Sequence, residues 1–98
     1  GRRVVVVGSG WIGMEVAAAA RGYGNDVTVV GRAQVPLREA IGRELGGMFE
    51  RLHRDNGVAF RNDATVVGVD GGGEQFVVLA TGERLPADVV VAGVGAAP

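Results

Sequence analysis

Four consecutive valines, Val4 to Val7, run into Gly8-Ser9-Gly10-Trp11-Ile12-Gly13. A β-branched run with no polar alternation is the pattern of a strand buried on both faces, as in a parallel sheet. Gly8 interrupts it. From Trp11 to about Arg21 an alanine-rich stretch predicts a helix, with Gly22 and Gly24 as its stop signals. Ala17, Ala18 and Ala20 form a small face that would let this helix lie close to a sheet. Asp26 to Val30 predicts a second β-branched strand, ending at Gly31. Strand, glycine turn, helix and strand within about 30 residues make a βαβ unit.

Beyond a loop carrying Pro36, Ile41, Leu45, Met48, Phe49 and Leu52 recur at helical spacing and predict a second helix with one apolar face. Gly46-Gly47 weakens it by about 1 kcal/mol per glycine relative to alanine, and Asn56-Gly57 is its end signal. Val58 to Phe60 predicts a third parallel strand. Short strands follow at Ala64 to Val69, Gln75 to Leu79 and near Arg84-Leu85. Glycine turns at Gly71-Gly72-Gly73 and Thr81-Gly82 separate them, the pattern of an antiparallel meander. Val89 to Ala92 then repeats the buried pattern of the first strand. The expected fold is α/β, a Rossmann-like three-layer domain with a central parallel sheet and a three-stranded antiparallel β-meander.

The 98 residues, 47% hydrophobic, suit one small domain with a packed core. A net charge of −1 lacks the basic excess of a nucleic-acid or anionic-membrane binder. No apolar run has membrane-span length and no signal peptide is evident, so a cytoplasmic location without membrane or nucleic-acid partners is expected. The absence of cysteine excludes disulfides and thiolate ligands within these residues. No His, Asp or Glu cluster has metal-ligand spacing. The ten basic residues are all arginine, a compositional bias rather than a patch. His53 is expected to be structural, Glu50, Arg51, Arg54 and Asp55 to form a solvated helix face, and Gly71-Gly72-Gly73 to be a hairpin tip.

In an 18-glycine chain a GxGxxG pattern alone says little. This one directly follows a predicted strand and opens a predicted helix, the context in which it binds a dinucleotide. Gly8 permits the turn, Gly10 lets the backbone approach a pyrophosphate, and Gly13 lets helix and strand pack closely. The pyrophosphate would meet unpaired N–H groups at the positive end of the helix dipole. NAD sites carry an acidic residue at the end of the second strand to accept the ribose hydroxyls. Here that position is Gly31, followed by Arg32. A guanidinium without a carboxylate suits a 2′-phosphate, with Arg38 as a second ligand. The competing reading makes Arg32 and Arg38 ordinary solvated loop residues, and Gly13 is itself typical of NAD sites. The cofactor is therefore NADPH or NADH, leaning to NADPH.

Gly8 to Ala17, Val27 to Val30, Leu52-His53-Arg54 to Gly57-Val58, and Leu85-Pro86-Ala87-Asp88 to Gly93-Val94-Gly95-Ala96-Ala97-Pro98 resemble the FAD-dependent pyridine nucleotide-disulfide oxidoreductases, most closely their ferredoxin, rubredoxin and putidaredoxin reductase branch. The resemblance spans essentially the whole chain. It implies that residues 1–98 are an NAD(P)H-binding domain inserted in the FAD domain of a larger protein. FAD would be bound by the full protein and not by these residues alone, which would be inactive in isolation. It further implies hydride transfer from nicotinamide to flavin and electron transfer to an iron–sulfur acceptor.

By the same resemblance Glu15 matches a catalytic-site Glu beside nicotinamide and flavin, the alternative being a solvated residue on the first helical turn. Trp11, next to Ile12 in the turn, matches an aromatic that covers the empty nicotinamide pocket, or else simply contacts the FAD domain. Gly93, Val94 and Gly95 match the strand end that approaches the nicotinamide, or are turn residues only. The resemblance is broken at Gly31, where the branch has Glu. A rival function of another class is a non-catalytic redox sensor built on the same dinucleotide module.

Overall fold

A computed structural model describes residues 1–8, 10–32, 38–71 and 73–92, residues 38–41 by their backbone alone. The elements are β1 (Arg3–Val7), α1 (Trp11–Gly22), β2 (Asp26–Val30), α2 (Arg38–Asp55), β3 (Val58–Arg61), β4 (Val66–Gly71), β5 (Gln75–Leu79), β6 (Arg84–Pro86) and β7 (Val89–Ala92). Four strands form a parallel sheet in the order β3-β2-β1-β7, and three form an antiparallel sheet in the order β4-β5-β6. This is the expected α/β architecture.

Because side chains alternate across a strand, the valines of β1 serve two cores. Val4 and Val6 pack with Met14, Ala17, Val27, Val29, Val58 and Phe60 on the helical side. Val5 packs with Val30, Val77, Leu79, Leu85 and Ala87 on the meander side, where Val7 also leans. The parallel sheet is therefore a middle layer, which is why its strands lack polar alternation.

Helix α1 lies on the sheet through Gly13, Met14 and Ala17, with Val16 and Ala20 partly buried. Ala18, expected on that face, is exposed, because the 3.6-residue period carries the contact from 13 and 14 to 17 and 20. The helix closes at Tyr23, and Gly24 takes a φ of 84°.

The apolar face expected of α2 departs further from the structure. Leu45, Met48 and Leu52 are 50%, 55% and 56% exposed. The side chain of Ile41 lies outside the described residues. The contacting face is turned toward Gly46, Phe49, Glu50 and His53 instead, buried or half-buried in each case. That face carries polar links to the neighbouring strand and the residue after it. Glu50 accepts a 2.6 Å hydrogen bond from Asn62 Nδ2 and another of 2.6 Å from Arg54 Nε. The Arg54 guanidinium lies 5.2 Å from the centre of the Phe60 ring. These links from α2 to β3 correct the expectation of a fully solvated Glu50 and Arg54 face. Asn62 Oδ1, also buried, has no partner among the described residues. The break in α2 falls at Gly42, with φ 85° and ψ 171°, rather than at Gly46-Gly47. His53 has the expected structural role: its Nδ1 pairs with the Phe49 carbonyl at 2.8 Å and its ring stacks on Phe49.

Candidate dinucleotide site

Three strand ends converge on one rim of the parallel sheet: Val7-Gly8, Val30-Gly31-Arg32 and Arg61-Asn62-Asp63. In open α/β sheets ligands bind at the carboxyl ends of strands, and this rim also holds the start of α1. Gly8 has a φ of 114°, a conformation that favours glycine. Its N–H donates to the Val30 carbonyl at 2.7 Å, which ties the turn to β2.

Gly10 is the N-cap of α1, with φ −80° and ψ −171°, and no side-chain cap is present among the described residues. The first intrahelical bond runs from Met14 N to Gly10 O at 3.0 Å. The amides of Trp11, Ile12 and Gly13 therefore have no acceptor within the helix, as in any helix start. They form a donor set at the positive end of the dipole, fitted to an anion.

Gly10 also separates folding from binding. Its φ is one that any residue adopts, and a Cβ built on it would meet no atom within 4 Å. The fold does not require glycine there. A ligand lying against the exposed backbone would.

The other expected site residues divide into three groups. Gly13 is buried against the sheet, as close packing demands. Trp11 and Ile12 are 49% and 48% exposed, and the Trp11 ring meets Phe49 edge-on with centroids 6.2 Å apart. That contact fixes Trp11 between the rim and α2, and the pattern from 41 to 52 gave no sign of it. Glu15 is exposed and lies beyond the first turn of α1, which carries no acidic residue. The dipole argument for a solvated Glu15 therefore does not apply.

Gly31 is buried and its backbone is used on both sides: its N–H donates to Arg61 O at 3.0 Å, and its carbonyl accepts from Ala64 N at 2.9 Å. Arg32 is exposed and joins no ion pair among the described residues. Arg38 opens α2, but its side chain lies outside the described residues, as do Gly93, Val94 and Gly95. No cluster able to hold a metal ion occurs among the described residues. The open recess of about 470 Å³ between the C-terminal ends of α1 and α2, lined by Ala18, Arg21, His53 and Asn56 among others, is at the opposite rim and takes no part in this site.

A family model of the pyridine nucleotide-disulphide oxidoreductases matches residues 1–98. The chain belongs to that family. It is 44% identical over 101 residues to the ferredoxin–NAD(+) reductase component of an anthranilate 1,2-dioxygenase system from Burkholderia cepacia, covering 100% of this chain and 24% of that protein. Superposed on a ferredoxin reductase from Rhodopseudomonas palustris, it gives a TM-score of 0.91 at 35% identity, over 96% of this chain and 24% of that one. An engineered water-forming NADPH oxidase bound to NADPH has the same fold, with a TM-score of 0.90 at 24% identity over 96% of this chain and 21% of that one. The chain thus spans about a quarter of the length of the relatives it matches. No helix among the described residues is long and apolar enough to cross a membrane.

Proposed function

We propose that this chain is the NAD(P)H-binding domain of a larger FAD-dependent, ferredoxin-reductase-like oxidoreductase. The observation that carries the reading is Gly10: a glycine whose place would admit a Cβ, at a helix start whose first amides have no acceptor within the helix and no side-chain cap among the described residues. Those are the properties of a backbone cradle for pyrophosphate. The dinucleotide supplies a hydride when bound, and the chain's residues bind and orient it. Trp11 to Gly13 hold the pyrophosphate through their amides. Trp11 flanks the nicotinamide half, and Glu15 faces the reacting end from the second turn. The rest of the protein holds FAD, and a small iron–sulfur protein takes the electrons onward, as the name of the Burkholderia relative suggests.

For the adenosine half, Gly31 leaves β2 without a carboxylate and Arg32 offers a cation, which supports NADPH over NADH. In the NADPH-bound oxidase of the same fold, arginines were introduced one and seven positions after an Asp replaced by Ala. Arg32 and Arg38 stand one and seven positions after Gly31. The same variant has Ala eighteen positions before the replaced Asp, where this chain keeps Gly13.

Titration calorimetry on this chain should show binding of NADPH and, more weakly, NADH. No heat of binding for either at millimolar concentration would defeat the assignment.

A further inference from the structure

Asp63 is the one residue other than glycine with a positive φ (51°) among the described residues. Strained positions of this kind concentrate at functional sites. Asp63 occupies the turn that wraps Gly31. Arg61 O accepts from Gly31 N, and Ala64 N donates to Gly31 O at 2.9 Å. The Cα of a residue lies about 2.4 Å from the next backbone nitrogen, so the Asp63 Cα is within about 5.3 Å of the Gly31 oxygen. Its side chain is exposed, and it has no hydrogen-bond or ion-pair partner among the described residues. A carboxylate not committed to the fold thus stands beside the strand end that lacks one.

We propose that Asp63 supplies, from the end of β3, the acidic group missing at Gly31, and so sets the balance between the two dinucleotides. It accepts a ribose hydroxyl of NADH and opposes the 2′-phosphate that Arg32 attracts. Arg32 and Asp63 then act as opposed determinants on adjacent strand ends, and the site takes both cofactors. The inference rests on the dinucleotide reading of the glycine turn.

The test compares NADH and NADPH affinities, by titration calorimetry on the full chain, for the unchanged protein, Asp63→Asn and Asp63→Gly. Asparagine and glycine both tolerate positive φ, so the turn is retained and a thermal melt verifies it. Asparagine keeps a neutral amide oxygen and glycine no acceptor, so loss of the carboxylate should weaken NADH about three- to ten-fold, more in Asp63→Gly than in Asp63→Asn. NADPH should bind equally or more tightly in both variants, and the gain should shrink as salt is raised. If both cofactors bind but either variant leaves their ratio unchanged, Asp63 is not a determinant, and a shift in only one variant points to the backbone and equally overturns the proposal. If neither cofactor binds the unchanged protein, the underlying dinucleotide reading falls with it.

Discussion

Arg3 and Asp88 grip one another through side chain and backbone together. Asp88 Oδ2 accepts from Arg3 N at 2.8 Å and Arg3 Nε at 3.2 Å, while Oδ1 accepts from Nη2 at 3.1 Å. In return, Asp88 N donates to Arg3 O at 2.8 Å. Arg3 Nη1 also reaches Glu74, so β1, β7 and the meander hairpin meet at one guanidinium. These bonds hold the Asp88 carboxyl down to about 2 and push the Arg3 guanidinium further up. An Asp with a depressed folded pKa stabilises the fold above its unfolded value, near 3.9, and loses that contribution as pH falls toward the folded value. The melting temperature should therefore fall between pH 4 and pH 2. Asp88→Asn should lower it at pH 7 and flatten that acid limb. Melting curves of both proteins from pH 2 to 7 check this.

Gly10→Ala should divide stability from binding. With an ordinary φ and free space around the new methyl, the melting temperature should fall only by the few degrees that alanine costs in place of glycine at an N-cap. The dinucleotide should bind at least ten-fold more weakly, because the methyl occupies the line of approach to the pyrophosphate. Equal affinity in the variant would remove the backbone cradle from the mechanism.

Arg32→Ala should cost NADPH affinity about 1.5–3 kcal/mol, the usual loss of a hydrogen bond to a charged group. NADH affinity should barely move. Paired titrations with the two cofactors supply the comparison, and a parallel loss for both would mean that Arg32 does not read the 2′-phosphate.

Glu50→Ala should destabilise the protein by about 1–3 kcal/mol. The side chain of Glu50 is only 15% exposed, and its removal takes the acceptor from Asn62 Nδ2, leaving that half-buried amide with an unpaired donor. Urea unfolding monitored by circular dichroism measures the difference. Among the described residues Glu50 reaches the rim only through Asn62, which is not one of the residues proposed to bind the dinucleotide, so cofactor affinity should be retained.

The βαβ unit, the meander and the seven strands were legible because each rests on a local signal: valine runs, glycine turns, alternation. Strands β2, β5 and β7 begin and end where the residues predict. Helix α2 was less legible. Its apolar periodicity identified a helix, but Leu45, Met48 and Leu52 face outward, while Glu50 and Arg54 reach Asn62 and Phe60 beyond the helix. Such long-range pairings leave no periodic trace in a sequence. The glycine turn was legible as a motif, whereas the dispensability of Gly10 to the fold appeared only with the surrounding space. Asp63 was missed because its single signal is a backbone angle.

The valine run of β1 carries one more consequence. Sliding the strand by one residue replaces valine by valine through the middle of the run, and only its ends register the error, with Gly8 taking the place of Val7 or Arg3 that of Val4. Most strands encode their alignment in the contrast between their two faces; this one has no contrast to encode. The information sits at its ends, in Arg3 facing Asp88 and in Gly8 bonded to Val30. A fifth valine inserted in the run would leave both cores filled and displace one end or the other. Such an insertion would misplace the cofactor turn or break the Arg3 clasp, while the protein's interior remained as well packed as before.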